Sequence, residues 1–246
     1  MYQGRKIVLN SYNRVDLTKT ANDAQFYLDW STVLDEGTYK VSYSICKQIK
    51  NVIPEIPWVF RVKSTTSVVP TTVDGITLSN TNVTIINDST RGSVFNFGGN
   101  AFLSIIQPTP VNSTKTFWLN MPIFTSGSNN AYSTTKMPIW FNGGTFLTVS
   151  VNFGLGGGGD VVSTVTQTPG AWIFYAVTTT ATQTLLYANG VLVRTGNLSW
   201  TGDTAAINFG AYRGSSFITG RLDDMRLYSS TLTASDINTI YTRTLI

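Results

Sequence analysis

Asn189-Gly190 stands between two apolar runs, Leu185-Leu-Tyr-Ala188 and Val191-Leu-Val193. Asn-Gly accepts positive φ at both central positions, so it closes a two-residue hairpin whose twist matches its flanking strands. The same rhythm runs through most of the chain. Short apolar or alternating segments are predicted as strands at 82–86, 93–97, 102–106, 116–123, 138–141, 146–151 and 161–165. More follow at 172–178, 184–188, 191–194, 206–209 and 222–227. Gly, Asn, Ser and Pro clusters separate them, the mark of an antiparallel β-sandwich or jelly roll. The fold class expected is all-β.

The end of the chain departs from this rhythm. After Gly220, simple alternation puts Leu222, Asp224, Arg226 and Tyr228 on one face of a strand, and Asp223, Met225 and Leu227 on the other. Thr233, followed three residues later by Asp236, signals a helix N-terminus, and Ile237, Ile240 and Tyr241 share one helical face. A short closing helix is expected to pack on the sandwich.

Trp172-Ile-Phe-Tyr-Ala-Val177, the Asn-Gly hairpin, Ile207-Asn-Phe-Gly210 and Gly220-Arg-Leu-Asp-Asp-Met-Arg-Leu-Tyr228 follow one another in the order seen in laminin-G-like (concanavalin A-like) jelly-roll domains. Upstream, Arg91-Gly-Ser-Val-Phe-Asn-Phe-Gly-Gly-Asn100 and Thr116-Phe-Trp-Leu-Asn-Met121 are similar to the early strands of such domains. The resemblance covers about residues 72–246. It implies a scaffold used mostly for binding and assembly, with glycosidases among only some relatives, so function has to be argued from the site.

Residues 1–63 read differently. Phe26, Leu28 and Trp30 alternate with polar neighbours, as do Tyr39, Val41 and Tyr43, and then Trp58, Phe60 and Val62. Three or four strands in some 60 residues cannot bury these faces alone. They need a partner surface, either the jelly roll or a neighbouring subunit. The expected division is an N-terminal β-rich assembly segment at 1–63, a linker at 64–71 through Ser64-Thr-Thr-Ser-Val-Val-Pro-Thr71, and the jelly roll at 72–246. Leu9-Asn-Ser-Tyr-Asn-Arg14, Asn22-Asp-Ala-Gln-Phe-Tyr-Leu28 and Leu34-Asp-Glu-Gly-Thr-Tyr-Lys-Val41 resemble the opening of structural proteins from large icosahedral DNA viruses. That resemblance implies a non-enzymatic minor capsid protein of a virion, with other capsid proteins or copies of itself as partners. Phe26, Leu28, Trp30, Tyr39, Val41 and Tyr43 would form the assembly surface. The alternative is a carbohydrate-binding or attachment module, an adhesin or fibre; a glycoside hydrolase relative ranks last.

Composition narrows the chemistry. There is no histidine, which removes Ser-His-Asp and Cys-His catalysis and histidine-ligated metals. The single cysteine, Cys46, rules out an internal disulfide framework. Glycoside hydrolysis needs two carboxyls facing one ring. The only glutamates are Glu36 and Glu55, and Asp223-Asp224, being adjacent, should point to opposite faces. No catalytic residues are therefore expected.

Only 12% of residues are charged, roughly half the usual share, and the net charge of +4 comes from scarce acids rather than a basic patch, so nucleic acid is not an expected partner. No apolar run is long enough to insert into a membrane, and no secretory signal is visible. No cofactor or metal is expected; calcium is the one possibility, and would need Asp74, Asp88, Asp160 and Asp203 to converge in space. Among aromatics near loops (Tyr132, Trp140, Trp200 and Tyr212), Trp200 and Tyr212 are the exposed rings expected to stack on a sugar.

Overall fold

Strands from both halves of the chain build two antiparallel sheets that close face to face over one core. The computed structural model describes residues 56–64, 66–122, 129–142, 147–152, 160–165, 168–197 and 200–244. The compact unit that contains them runs from Ile53 to Ile246. In chain order the strands begin β1 (Phe60–Val62), β2 (Thr72–Val73), β3 (Ile76–Thr81), β4 (Thr84–Asp88), β5 (Gly92–Gly98) and β6 (Phe102–Ile105). There follow β7 (Ser113–Asn120), β8 (Asn129–Ser133), β9 (Pro138–Asn142), β10 (Leu147–Asn152) and β11 (Asp160–Val165). The series ends with β12 (Trp172–Thr179), β13 (Thr184–Ala188), β14 (Val191–Gly196), β15 (Ile207–Phe209) and β16 (Thr219–Tyr228), before helix α1 (Ala234–Thr244).

One sheet has the order β14-β13-β12-β7-β16-β5-β4, with β1 also on β16; the other runs β11-β10-β9-β8-β15-β6-β3-β2. Alternation does the sorting. On β7, Phe117 and Leu119 point between the sheets, as do Ile173, Tyr175 and Val177 on β12, and all five are buried. The neighbours in between, Trp118, Phe174 and Ala176, face outward and would be wet without cover. Helix α1 supplies that cover by laying Ile237, Ile240 and Tyr241 on them, with the Tyr241 ring stacked 5.8 Å from Trp118. Its start is the expected capping box: Asp236 N–H donates to Thr233 Oγ1 at 3.2 Å, while Thr233 N–H donates back to Asp236 Oδ2 at 2.9 Å.

The Asn189-Gly190 turn has φ of 48° and 78°, the positive pair such a hairpin requires. It is also a packing point, since a Cβ on Gly190 would lie 2.9 Å from Asn238 Oδ1 and 3.0 Å from the Tyr241 ring. Phe174 and Tyr187 are buried beneath α1 rather than between the sheets, and Trp172 at the head of β12 is only half-buried, its indole N–H donating to Asp88.

Three expectations change. Phe60 and Val62 belong to the sandwich rather than to a separate segment: β1 pairs with the second half of β16, and both side chains are fully buried in the main core. The jelly-roll unit thus begins upstream of the expected boundary at 63. The 64–71 stretch is tied in, with Leu78 N–H donating to the Thr71 carbonyl and Ser64 buried.

Second, the expected strand at 82–86 begins only at Thr84, as β4, because Asn82 takes φ 58° and turns the chain from β3 in one sheet into β4 in the other. Third, β16 does not alternate throughout. A bulge between Asp223 and Arg226, with Asp224 at φ 50°, resets the pattern so that Leu222, Met225 and Leu227 all enter the main core. The two aspartates then lie on the outer face together.

Candidate functional site

Four loops meet at one end of the sandwich, and backbone pairing holds them. Thr109 and Asp203 exchange both of their N–H···O bonds, at 2.7 and 2.9 Å. This close approach needs the glycine beside it, since a Cβ on Gly202 (φ 76°) would meet the Thr109 carbonyl oxygen at 3.0 Å. The Asp203 carboxylate gathers the next loop, accepting from Thr135 Oγ1 at 2.8 Å and Lys136 N–H at 2.9 Å through one oxygen, and from Ala205 N–H at 3.0 Å through the other. Burial acts to raise this carboxyl's pKa, but the hydrogen bonds from Ala205, Thr135, Thr134 and Lys136 outweigh it and hold it below the ordinary carboxylate range. Lys136 Nζ closes the ring by donating to the Gly202 carbonyl at 3.2 Å.

Between these loops lies an open groove of about 310 Å³, walled by Pro108–Val111, Lys136 and Thr201–Thr204. That size falls within the range of small-ligand clefts. Tyr212 reaches the same rim: its hydroxyl donates to the Thr135 carbonyl at 3.3 Å, and Arg213 Nη2 donates to that oxygen at 2.9 Å. The Arg213 guanidinium stands 5.1 Å from the centre of the Tyr212 ring. A tight turn, with Arg213 at φ 51° and Gly214 at φ 69°, presents the pair.

The two aromatics expected to stack on sugar thus sit at the same end, but only one is available. Tyr212 is half-exposed, whereas Trp200 is 2% exposed. Trp200 donates its indole N–H to the Pro110 carbonyl at 2.9 Å and supports the groove from beneath. Tyr132 is buried too, with its hydroxyl against Thr109 Oγ1 at 3.3 Å, while Trp140 is half-buried in β9.

Under Trp200 lies a residue that sequence reasoning missed. Lys115 is fully buried on the inward face of β7, its Nζ donating to Ser113 Oγ and Thr179 Oγ1, each at 2.8 Å. Burial pushes its pKa well below the ordinary lysine range. A polar strand start, Ser113-Thr-Lys-Thr116, was the available signal.

Other expectations resolve as follows. Phe26, Leu28, Trp30, Tyr39, Val41 and Tyr43 lie outside the described residues. Asp74 accepts from Trp58 Nε1 and Arg61 N–H, and Asp88 from Thr90 N–H and Arg221, so neither turns towards Asp203. Among the described residues no three potential ligands gather to hold a metal ion.

Asp223 and Asp224 do share the outer face, which corrects the expectation that adjacency would separate them. Neither is free for acid–base chemistry. Asp223 pairs with Arg91 at 2.9 Å and Lys63 at 3.0 Å, and Asp224 with Arg226 at 2.7 Å and Arg61 at 2.6 Å. The Asp224–Arg226 pair is buried.

Among solved structures, the binding domain of Paraclostridial Mosquitocidal Protein 1 superposes with a TM-score of 0.60 at 14% identity, over 76% of this chain and 52% of that one. The binding domain of botulinum neurotoxin DC in complex with SialylT gives 0.58 at 12% identity, over 76% and 51%. Domain 4 of an extracellular arabinanase from Geobacillus stearothermophilus, in complex with arabinotriose, gives 0.51 at 13% identity, over 68% and 90%. This chain spans about half the length of the toxin binding domains it matches. At these identities the likeness concerns the fold alone. No curated protein matches the sequence. The family description of the Concanavalin A-like lectin/glucanases superfamily matches residues 97–238, more than half of the chain. With its two packed antiparallel sheets and that match, the chain belongs to the Concanavalin A-like lectin/glucanases superfamily.

Proposed function

We propose that this chain is a non-enzymatic carbohydrate-binding module, with the groove between Pro108–Val111 and Thr201–Thr204 as its sugar site and Tyr212 as its aromatic rim. The observation that carries the reading is the groove itself. Its loops are fixed by paired backbones and by the Asp203 carboxylate, so their order is paid for in folding rather than on binding. Thr201, Thr204 and Lys136 offer hydroxyl and ammonium groups to sugar hydroxyls, and Tyr212 offers a ring face or edge to a C–H surface. Two of the structures with this fold, the arabinanase domain and the neurotoxin DC binding domain, were solved with arabinotriose and SialylT.

Non-enzymatic character is supported by the carboxylates. Asp74, Asp88, Asp203, Asp223, Asp224 and Asp236 each accept hydrogen bonds from protein donors, leaving no opposed pair to serve as acid and base among them. A minor capsid role, and with it a place in a virion, rests on residues 9–41, which lie outside the described residues. Neither the family match nor the similar structures support it.

The test is titration calorimetry of the full chain with arabino-oligosaccharides and sialylated oligosaccharides, followed by a wider glycan array. Saturable binding is expected, weakened roughly fivefold or more by Tyr212→Ala, the loss of an aromatic contact worth about 1 kcal/mol. No binding to any glycan, or binding indifferent to Tyr212 and Lys136, would overturn the assignment. Release of sugar from arabinan by the purified chain would overturn the non-enzymatic part.

A further inference from the structure

The chain makes the same kind of two-residue turn twice, with different residues. Asn189-Gly190 has φ of 48° and 78°, and Arg213-Gly214 has 51° and 69°. Around the second, Tyr212 and Ser215 exchange both of their N–H···O bonds, at 2.8 and 2.9 Å. Asparagine takes a positive φ readily and is favoured at the first central position of such a turn, whereas a long side chain like arginine is uncommon there. An unfavourable residue held at a loop tip marks a side chain kept for something other than the turn.

That side chain is placed to meet a ligand. Arg213 is exposed, and its Nη2 donates to the Thr135 carbonyl at 2.9 Å, which brings the guanidinium to the residue next to Lys136 of the groove wall. Its Nε and Nη1 donate to no acceptor among the described residues, and the Tyr212 ring, 5.1 Å away, steadies its plane. Lys136 Nζ donates to a carbonyl, that of Gly202, so neither cation is paired with a carboxylate among the described residues. The one acid in the groove wall is Asp203. It is 6% exposed, and its oxygens already accept from Thr135, Lys136 N–H and Ala205.

From this geometry we infer that the groove takes a sugar bearing a carboxylate, with Arg213 as the residue that selects it and Lys136 beside it. A guanidinium fork matches a carboxylate with paired, charge-assisted hydrogen bonds, and Arg213 keeps donors open for one. Holding the fork beforehand against Tyr212 and the Thr135 carbonyl lowers the cost of ordering it on binding. The inference rests on the groove being a sugar site and adds the chemical class of the sugar.

The experiment is titration calorimetry of the full chain at low ionic strength with two matched pairs, oligogalacturonate against its methyl ester and sialyllactose against lactose. The acidic member of at least one pair should bind about fivefold more tightly, the scale of one exposed ion pair with good geometry. The pair with the larger ratio identifies the acid as a uronate or a sialate. Arg213→Asn should cut that ratio to about twofold or less, with a Tm equal to or above the parent's because asparagine suits the turn. A residue kept only for structure would lower the Tm and leave the ratio alone. Arg213→Lys keeps the charge without the fork and should give an intermediate ratio. Arg194→Gln, which removes an equal charge from β14, should leave the ratio unchanged. Equal binding within both pairs, or a preference that Arg213→Asn leaves intact, would overturn the inference while the sugar groove stands. No binding of any of the four would take down the groove assignment and this inference together.

Discussion

Lys115→Met should stabilise this protein, and the gain should shrink as the pH rises. The Lys115 amine is buried with two neutral acceptors, and among the described residues it pairs with no carboxylate. Ser113 Oγ donates its own proton to the Pro110 carbonyl at 2.7 Å and Thr179 Oγ1 donates to the Val111 carbonyl at 3.1 Å, so neither hydroxyl proton is orphaned when the amine goes.

Burial lowers the folded-state pKa of this lysine from an unfolded value of about 10.4. Between those two values the unfolded chain holds the extra proton. Stability therefore rises with pH across that window, by at most about 1.4 kcal/mol per unit, and the full penalty stands below the folded pKa. Replacing a buried charge by an apolar side chain of similar length typically gains about 1–4 kcal/mol, and the two lost hydrogen bonds return about 1 kcal/mol. A net gain of about 0–3 kcal/mol corresponds to a Tm higher by up to roughly 12 °C for a chain of this size. Urea unfolding and calorimetry of both proteins at pH 7 and pH 10 measure it. A Lys115→Met protein less stable than the parent at pH 7, or a difference that does not narrow at pH 10, would refute the reasoning.

Gly190→Ala should cost about 1–2 kcal/mol in urea unfolding, because φ of 78° is strained for alanine and the new methyl would press on Asn238 and Tyr241 of α1. Asp88, Asp203 and Asp224 all have folded pKa values below the ordinary carboxylate range; burial opposes this in each case, and hydrogen bonds with arginine or backbone N–H partners prevail. Their contribution is present in full above about pH 4 and is lost as the pH falls through the lowered values, so a Tm–pH profile should bend downward below about pH 4. In Asp203→Asn that acid bend should be shallower, with a lower Tm at pH 7.

Local signals in this chain were enough for the elements whose causes are local. Asn189-Gly190 makes its turn because those two residues tolerate positive φ, and Thr233 with Asp236 caps α1 because the partners are three residues apart. The apolar run of β12 marked a buried strand, but both of its faces are covered, so the run alone did not say which face meets the other sheet. β8 gave no such signal: Asn129, Asn130 and Ser133 are buried by bonds to Phe141, Ser216 and Ala211, which compensate for polar side chains that a pattern of apolar residues cannot reveal.

The site depended on contacts far apart in sequence. Trp200 looked like an exposed loop aromatic, yet its indole is claimed by Pro110, ninety positions away. The Asp223-Asp224 pair looked divided until a bulge turned both outward towards Arg61, Lys63, Arg91 and Arg226. Strand periodicity states which side chains share a face. Which face is covered, where the period slips and which loops meet are decided by distant segments competing for the same hydrogen bonds and the same apolar surface, and only the folded chain brings those segments together.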